Sequence, residues 1–242
     1  GAGKGGRHAR ALPVTPTPDQ PRYTPVADHA LLVEFAEALG EDAHAAVLRL
    51  DRALAATPCP GLREVVPAYV NLLIAFDPRL SDHQAIRAHV AGLLGSAPVE
   101  SRAPVTHEVG ICYEAPFSRD LAEVAAKTAL SEDAVIAAHL AGDYRVYLYG
   151  FAPGYAYMAG VPEAIRLGRK PAPVRGVAAG SVIVAGAQCL ITTLTMPAGW
   201  WVLGRSPVKV FTGDEAKPFL FEVGDSLRFH RLTLAEYEAQ HG

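Results

Sequence analysis

Hydrophobic residues recur along the first part of the chain at two different spacings. Short apolar runs bounded by turn residues are typical of strands, whereas apolar residues three and four positions apart are typical of amphipathic helices. The predicted strands are 30–35, 64–66 and 69–76, and the predicted helices are 41–55 and 81–94. Pro67 separates the last two strands, and Ser81 with Gln84 forms a predicted capping box at the start of the second helix.

A further apolar run at 105–113 completes the order strand, helix, strand, strand, helix, strand. This order predicts a small two-layer α/β sandwich, and the last strand is compatible with either half of the chain. Two short helices follow, with Ser118 and Ser131 as their predicted N-caps. Because they adjoin in sequence, we expect a helical hairpin.

The remainder of the chain is rich in glycine, proline and β-branched residues, which favours many short strands. The predicted strands are 144–150, 180–185, 190–194, 201–203, 209–211 and 226–230. Strands at this spacing are typical of a barrel or a sandwich.

The chain is therefore predicted to be α+β with two domains. Residues 1–22 have no hydrophobic period and are interpreted as a flexible tail or a remnant of cloning. Residues 23–100 form the predicted small α/β sandwich domain, and 104–242 form the second domain, which contains the helical hairpin and the β-rich region. The prolines at 98 and 104 bound the predicted linker.

Composition and charge exclude several classes of function. A net charge of -3 at pH 7 gives no overall positive field, which argues against nucleic acid or an anionic membrane as the main partner. The three cysteines contain no CxxC pair, so we expect neither a disulfide framework nor a structural zinc site. No apolar run reaches the roughly 18 residues that span a bilayer, and no signal-peptide pattern is found, so the protein is predicted to be cytoplasmic.

Two segments carry candidate chemistry. The first, 144–160, holds five tyrosines and three glycines, the materials of a small-molecule pocket, although the segment by itself favours a packed strand end with half-buried tyrosines. The second, 176–207, places polar residues beside glycines that let backbone amides approach a ligand. In that segment Arg205 is either a clamp for an oxyanion or a surface ion pair.

Catalytic signatures are otherwise scarce. The histidines form no HxH or HxxxH pair, and His139 is the candidate acid or base because it lies just before the aromatic segment. Cys189 is interpreted as a buried small hydrophobe, since no base adjoins it in sequence. Local basic residues, among them Arg169 and Lys170, are suited to a small anion.

Three segments carry a resemblance to a known family. They read VYLYGFAPGYAYMAGVP, AAGSVIVAGAQ and PAGWWVLGRSPVKVF. In this order they resemble the family of the B component of 5-oxoprolinase, also called allophanate hydrolase subunit 1 or the KipI family, over most of the chain from about residue 25. The resemblance implies an N-terminal α/β domain followed by a cyclophilin-like β-barrel domain. It also implies a hetero-oligomer with a C-type, carboxyltransferase-like partner subunit.

The function that this resemblance implies is that of a subunit of an ATP-dependent hydrolase acting on a small cyclic or urea-like amide. His139 is assigned a catalytic acid/base role. The residues assigned to substrate binding are Tyr149, Phe151, Gly154, Tyr155, Tyr157, Arg175, Gln188, Gly199, Trp200 and Arg205. ATP is expected to bind together with the partner subunit, and no metal site is predicted. The alternative is a KipI-like inhibitor of a sensor histidine kinase.

The chain departs from the family pattern in the second segment. The family places proline and arginine together before its glycine motif, whereas Arg175 here follows Pro173 after an intervening valine. Residues Cys189 to Thr193 also replace the family's usual sequence. The glycines persist while neighbouring side chains change, which leaves the substrate open.

Overall fold

The structure is a computed structural model that describes residues 15–95 and 103–241. The chain divides between residues 101 and 102 into two compact units, each with its own hydrophobic core. Residues 1–14 of the predicted tail and 98–102 of the predicted linker lie outside the described residues.

The first unit is a four-stranded antiparallel sheet with two helices. Its elements are β1 (Arg22–Val26), β2 (Ala30–Glu34), α1 (Glu41–Ala56), β3 (Leu62–Pro67), β4 (Asn71–Phe76) and α2 (His83–Leu94). The spatial order of the strands is β1-β2-β4-β3. Alternate residues of β2, Leu31 and Val33, share one core with Val47 and Leu50 of α1, so they define the face of the strand that the helix covers.

Two details of the first unit correct the sequence-based prediction. Strand β1 begins at Arg22, and its side chains are mostly exposed, so it has no apolar pattern from which to predict it. Helix α2 is capped by Asp82 rather than Ser81, because the Asp82 carboxylate accepts a hydrogen bond from the Ala85 amide at 2.8 Å.

The second unit contains nine strands and three α-helices within its described residues. The first group in chain order is β5 (Thr106–Cys112), α3 (Leu121–Thr128), α4 (Glu132–Leu140), β6 (Tyr144–Tyr149), β7 (Ala156–Ala159) and β8 (Val174–Val177). The second is β9 (Ser181–Ala185), β10 (Gln188–Ile191), β11 (Met196–Ala198), β12 (Trp201–Arg205), β13 (Ser226–Leu232) and α5 (Leu234–His241). Seven strands close into a barrel in the order β10-β7-β6-β13-β5-β12-β9, and β8 pairs with β11. The predicted α+β fold with a β-barrel is confirmed.

Side chains of alternate residues separate the barrel interior from its outer surface. In β9, Val182 and Val184 belong to the interior core together with Ile191 of β10. The intervening Ile183 belongs to a second cluster with Leu190 of β10. Because successive side chains of a strand point to opposite faces, this second cluster lies on the outside of the barrel.

The helical hairpin is present, and one of its two predicted caps is confirmed. The Ser131 hydroxyl accepts a hydrogen bond from the Ala134 amide at 3.1 Å and caps α4. The residue before α3 is Asp120 rather than Ser118, and its carboxylate makes no cap bond to the helix. No helix within residues 15–95 and 103–241 is long and apolar enough to cross a bilayer.

Other elements of the second unit depart from the prediction. The strand predicted at 209–211 has only one isolated bridge, between Phe211 and Phe219. The run at 105–113 is a barrel strand, in parallel pairing with β13, and so does not belong to the first half. Strands β7, β8 and β11 span four residues or fewer, too short to show a period of two.

Gly160 provides a test of this packing. Its φ of +128° is unfavourable for other residues, and an added Cβ would lie 2.1 Å from the Asp143 carbonyl oxygen. We therefore expect Gly160→Ala to lower the free energy of unfolding by about 2–4 kcal/mol in urea denaturation. Gly168, where an added Cβ meets nothing within 4 Å, is the matched control. Equal losses of unfolding free energy in Gly160→Ala and Gly168→Ala would contradict the close packing of Gly160 against the Asp143 carbonyl.

Candidate functional site

A groove of about 280 Å³ lies on the outer surface of the barrel. Its floor includes Ile183 and Leu190, the outward-facing residues of β9 and β10. Its walls contain aromatic residues of the predicted site, and we call it the aromatic groove. The residues that line it are Phe151, Tyr155, Tyr157, Arg169, Lys170, Pro173, Ile183, Leu190, Pro197, Ala198, Gly199 and Trp200.

The turn between β6 and β7 forms one wall of the aromatic groove. Phe151 has a φ of 68° and Gly154 a φ of 75°, so two residues of this turn occupy the left-handed region. The Thr193 hydroxyl donates to the Pro153 carbonyl at 2.6 Å and holds the turn from its other side. Phe151 is 78% exposed despite its size, which places an aromatic face at the mouth of the groove.

Tyr155 lines the groove, but its hydroxyl group is buried. The residue is only 3% exposed, and its hydroxyl has no hydrogen-bond partner among the described residues. Burial raises the pKa of this hydroxyl above its ordinary value, so it is neutral and able both to donate and to accept. A buried hydroxyl without a partner costs roughly 1–3 kcal/mol.

The rings of Tyr157 and Trp200, which both line the groove, form an edge-to-face pair with centroids 5.8 Å apart. Burial raises the pKa of the Tyr157 hydroxyl, and the nearby positive charge of Arg169 partly offsets this rise. The Arg169 guanidinium carbon lies 5.8 Å from the centroid of the Trp200 ring. In the part of the chain that the structure describes, no carboxylate lies within ion-pair distance of Arg169, so its charge is open to a ligand.

The charge of Lys170, by contrast, is compensated within the protein. Its Nζ lies 2.7 Å from Oδ2 of Asp120, and both side chains are less than 10% exposed. The same carboxylate oxygen accepts a hydrogen bond from the Val202 amide at 2.7 Å. The Lys170 amide donates to the Gly199 carbonyl at 2.7 Å. This buried pair therefore ties the 169–170 segment to β12 and positions Arg169 beside the groove.

Several predicted substrate-binding residues do come together. Phe151, Tyr155, Tyr157, Gly199 and Trp200 all line the aromatic groove. Gly154 lies in the turn that forms its wall, where an added Cβ would be 2.9 Å from Thr193 Cγ2.

The remaining predicted residues lie elsewhere. Tyr149 donates its hydroxyl proton to the Phe221 carbonyl at 2.7 Å and does not line the groove. Gln188 pairs with Ala159 and Ala185 in the barrel sheet. Arg175 is exposed on β8, and Arg205 lines two other cavities.

His139 lies in the barrel core, not beside the groove. It is 0% exposed and stacks on Phe229, with ring centroids 5.2 Å apart. The Tyr113 hydroxyl is 2.7 Å from its Nδ1, and Cys189 Sγ is 3.7 Å from its Nε2. Burial lowers the pKa of the imidazole to about 3. The predicted acid/base role conflicts with this position, because a general acid or base must come within hydrogen-bond reach of its substrate.

Burial also raises the pKa of the Cys189 thiol, so the Cys189–His139 contact is between neutral groups. Burial therefore disfavours a thiolate–imidazolium pair of the kind that activates a nucleophile. The sequence-based interpretation of Cys189 as a buried hydrophobe agrees with its exposure of 0%.

Some groove residues have no strong sequence signal. Ile183 and Leu190 are recognisable only once the strand register shows which residues face outward. Asp120, which fixes Lys170, lies 50 positions away in sequence and resembles a helix cap. Among the described residues, no group of three or more His, Cys, Asp or Glu side chains is arranged to hold a metal ion.

Comparisons with known proteins identify relatives of the whole fold. Residues 21–221 match the family model of the carboxyltransferase domain, subdomain C and D. The B component of 5-oxoprolinase from Bacillus subtilis is 30% identical over 226 residues, which cover 88% of this chain and 93% of that protein.

Solved structures give the same relationship. The crystal structure of TTHA0988 matches with a TM-score of 0.74 and 38% identity, over 85% of this chain. This chain spans only 40% of the length of TTHA0988. The urea amidolyase of K. lactis matches with a TM-score of 0.74 over 90% of this chain and 15% of that chain, and at 15% identity it shows a likeness of fold alone.

The buried imidazole of His139 predicts a pH dependence of stability. Its pKa is about 3 in the folded protein, against an ordinary value of 6.5. Between these values the unfolded chain binds a proton that the folded protein does not, so stability falls as pH falls. The slope from this group is about 1.4 kcal/mol per pH unit.

We expect His139→Gln, which does not titrate, to lose this part of the slope in urea denaturation between pH 6 and pH 4. His230→Gln, at an exposed position on β13, is the matched control. Parallel pH dependences of the wild-type protein and His139→Gln would contradict a neutral, buried His139.

Proposed function

Because the chain belongs to the family of the 5-oxoprolinase B component and of carboxyltransferase-domain subdomains C and D, we propose that it is a subunit of an ATP-dependent amide hydrolase. Its substrate is a small cyclic or urea-like amide, and it acts with a C-type, carboxyltransferase-like partner. The names of the relatives support the reaction class. The larger chains of TTHA0988 and urea amidolyase support a partner, because this fold is only part of each.

We assign the aromatic groove as the substrate site. The observation that carries this assignment is that four aromatic side chains line one cavity together with Arg169, which has no carboxylate within ion-pair distance among the described residues. An amide group is planar and offers both a carbonyl acceptor and, in most cases, an N–H donor. The neutral hydroxyl of Tyr157, a half-buried residue of the groove, complements either one. A groove of about 280 Å³ suits a molecule smaller than the usual drug-sized ligand.

Arg169 supplies the charge in this site. Cleavage of an amide places negative charge on the carbonyl oxygen, and a guanidinium near that oxygen stabilises it. Arg169 rests over Trp200 and has no carboxylate partner in residues 15–95 and 103–241, so its N–H groups are available for this role.

The groove lacks a group for proton transfer. Its described lining contains no histidine, aspartate or glutamate, and the one lysine is paired with Asp120. Both tyrosines have raised pKa values and are poor bases at neutral pH. This chain therefore binds and orients the amide, while the general base belongs to the partner, which makes the isolated chain inactive.

ATP would supply phosphoryl-transfer energy for the cleavage. The sequence carries no Walker A motif between a strand and a helix, so we assign nucleotide binding to the assembled complex. The residues of the aromatic groove act on the amide rather than on the nucleotide.

The test uses the complex of this chain with its C-type partner. With 5-oxoproline or urea as substrate, we expect amide-dependent ATP hydrolysis by the complex and none by this chain alone. Tyr157→Phe should raise KM roughly tenfold because it removes one hydrogen bond to the ligand. Arg169→Gln should lower kcat, because its charge acts where negative charge develops in the transition state.

Tyr23→Phe, in the first unit, is the matched control for loss of a tyrosine hydroxyl. Absence of turnover with either substrate would overturn the proposed activity. Turnover with an unchanged KM in Tyr157→Phe would instead show that the amide binds outside the aromatic groove.

A further inference from the structure

A second cavity, of about 500 Å³, lies on the other side of the turn that forms the wall of the aromatic groove. The residues that the argument uses are Gly180, Thr193, Arg205, Ser206, Lys209 and Phe211. Thr193 and Phe211 line this cavity and also pack against Gly154 of the turn, where an added Cβ would be 2.9 and 3.3 Å from them. The two cavities are therefore separate and share one wall.

The second cavity holds two cationic side chains, Arg205 and Lys209, and among the described residues no acidic side chain lines it. Within the described ranges, neither cation has a carboxylate within ion-pair distance. Two positive charges at one cavity repel each other unless an anion lies between them. The cavity therefore has an excess of positive charge that the protein itself does not neutralise.

Arg205 is held in place before any ligand binds. Its Nε donates to the Ala179 carbonyl at 3.0 Å, and its guanidinium carbon lies 5.4 Å from the centroid of the Phe117 ring. The backbone at Gly180, with a φ of +81°, lies close to residues 205 and 206. An added Cβ there would be 2.7 Å from the Ser206 carbonyl oxygen and 3.5 Å from Arg205 Nε. The two terminal nitrogens of Arg205 remain for a ligand, and little side-chain entropy is lost when they bind it.

A hydroxyl group adds a neutral donor to the same cavity. Ser206 is 2% exposed, and its Oγ accepts a hydrogen bond from the Val208 amide at 3.3 Å. A hydroxyl that accepts in this way still has its own proton to donate. The cavity therefore offers three kinds of donor to a ligand: a guanidinium, the ammonium group of Lys209 and this hydroxyl.

We propose that the second cavity binds a tetrahedral oxyanion of the phosphate type, as inorganic phosphate or as the phosphoryl group of a small molecule. A phosphate dianion matches the two uncompensated cations in charge. Its several oxygens also accept from an arginine fork, a lysine and a hydroxyl at the same time. The volume leaves room for an organic part beside Phe211, which is 45% exposed. This site does not depend on the amide assignment of the aromatic groove.

Isothermal titration of the full chain with inorganic phosphate and with pyrophosphate tests the proposal. Ionic strength is held constant with chloride, because exposed charges are screened by salt. We expect saturable binding that Lys209→Gln weakens about tenfold, since one charge-assisted hydrogen bond is lost. Arg205→Lys keeps the charge but loses the fork, and it should also weaken binding. Pyrophosphate should bind more tightly than phosphate, because it carries more negative charge.

Arg228→Gln, an exposed arginine on β13, is the control for general loss of positive charge. Lys209 is itself exposed, so Lys209→Gln should fold even if Arg205→Lys does not. Absence of saturable binding, or equal weakening by Lys209→Gln and Arg228→Gln, would overturn the phosphate site. The titration uses this chain without amide, ATP or partner, so failure of the amide proposal is distinguishable from failure of this one.

Discussion

Closure of the barrel is the constraint on which the rest of the second unit depends. Seven strands that pair in a ring leave no free edge, but their inward side chains must fill a small interior. Val182, Val184 and Ile191 are used for this purpose, so only outward-facing residues remain for binding. The aromatic groove and the second cavity accordingly lie outside the core, where glycine-containing turns bring loops against the strands.

The same constraint explains the position of His139. A polar side chain inside the barrel must find its partners there, and Tyr113 and Cys189 provide them on its two ring nitrogens. The three groups are neutral and mutually satisfied, so they stabilise one arrangement of α4 against β5 and β10. Their chemistry is structural, although the same residue types in a cleft would be candidates for catalysis.

Local signals in the sequence predicted much of the fold. The β-branched residues between glycines and prolines identified β6 and β9, and Ser131 was recognisable as a cap because it bonds to its own helix. The role of Asp120 was not recognisable from the sequence, because its carboxylate binds Lys170 and the Val202 amide, which are distant in sequence.

The aromatic motif likewise predicted half of the site, since a turn keeps Phe151 and Tyr155 together. Arg205 was grouped with Trp200, yet a strand rising about 3.3 Å per residue places them roughly 16 Å apart and in different cavities.

The turn that carries Phe151 and Tyr155 has a consequence of its own. One side of this turn lines the aromatic groove, and its other side contacts Thr193, which lines the second cavity. A ligand that displaces the turn from either side therefore alters both cavities. By thermodynamic linkage such an effect is reciprocal: whatever one occupant does to the affinity of the other, the second does equally to the first.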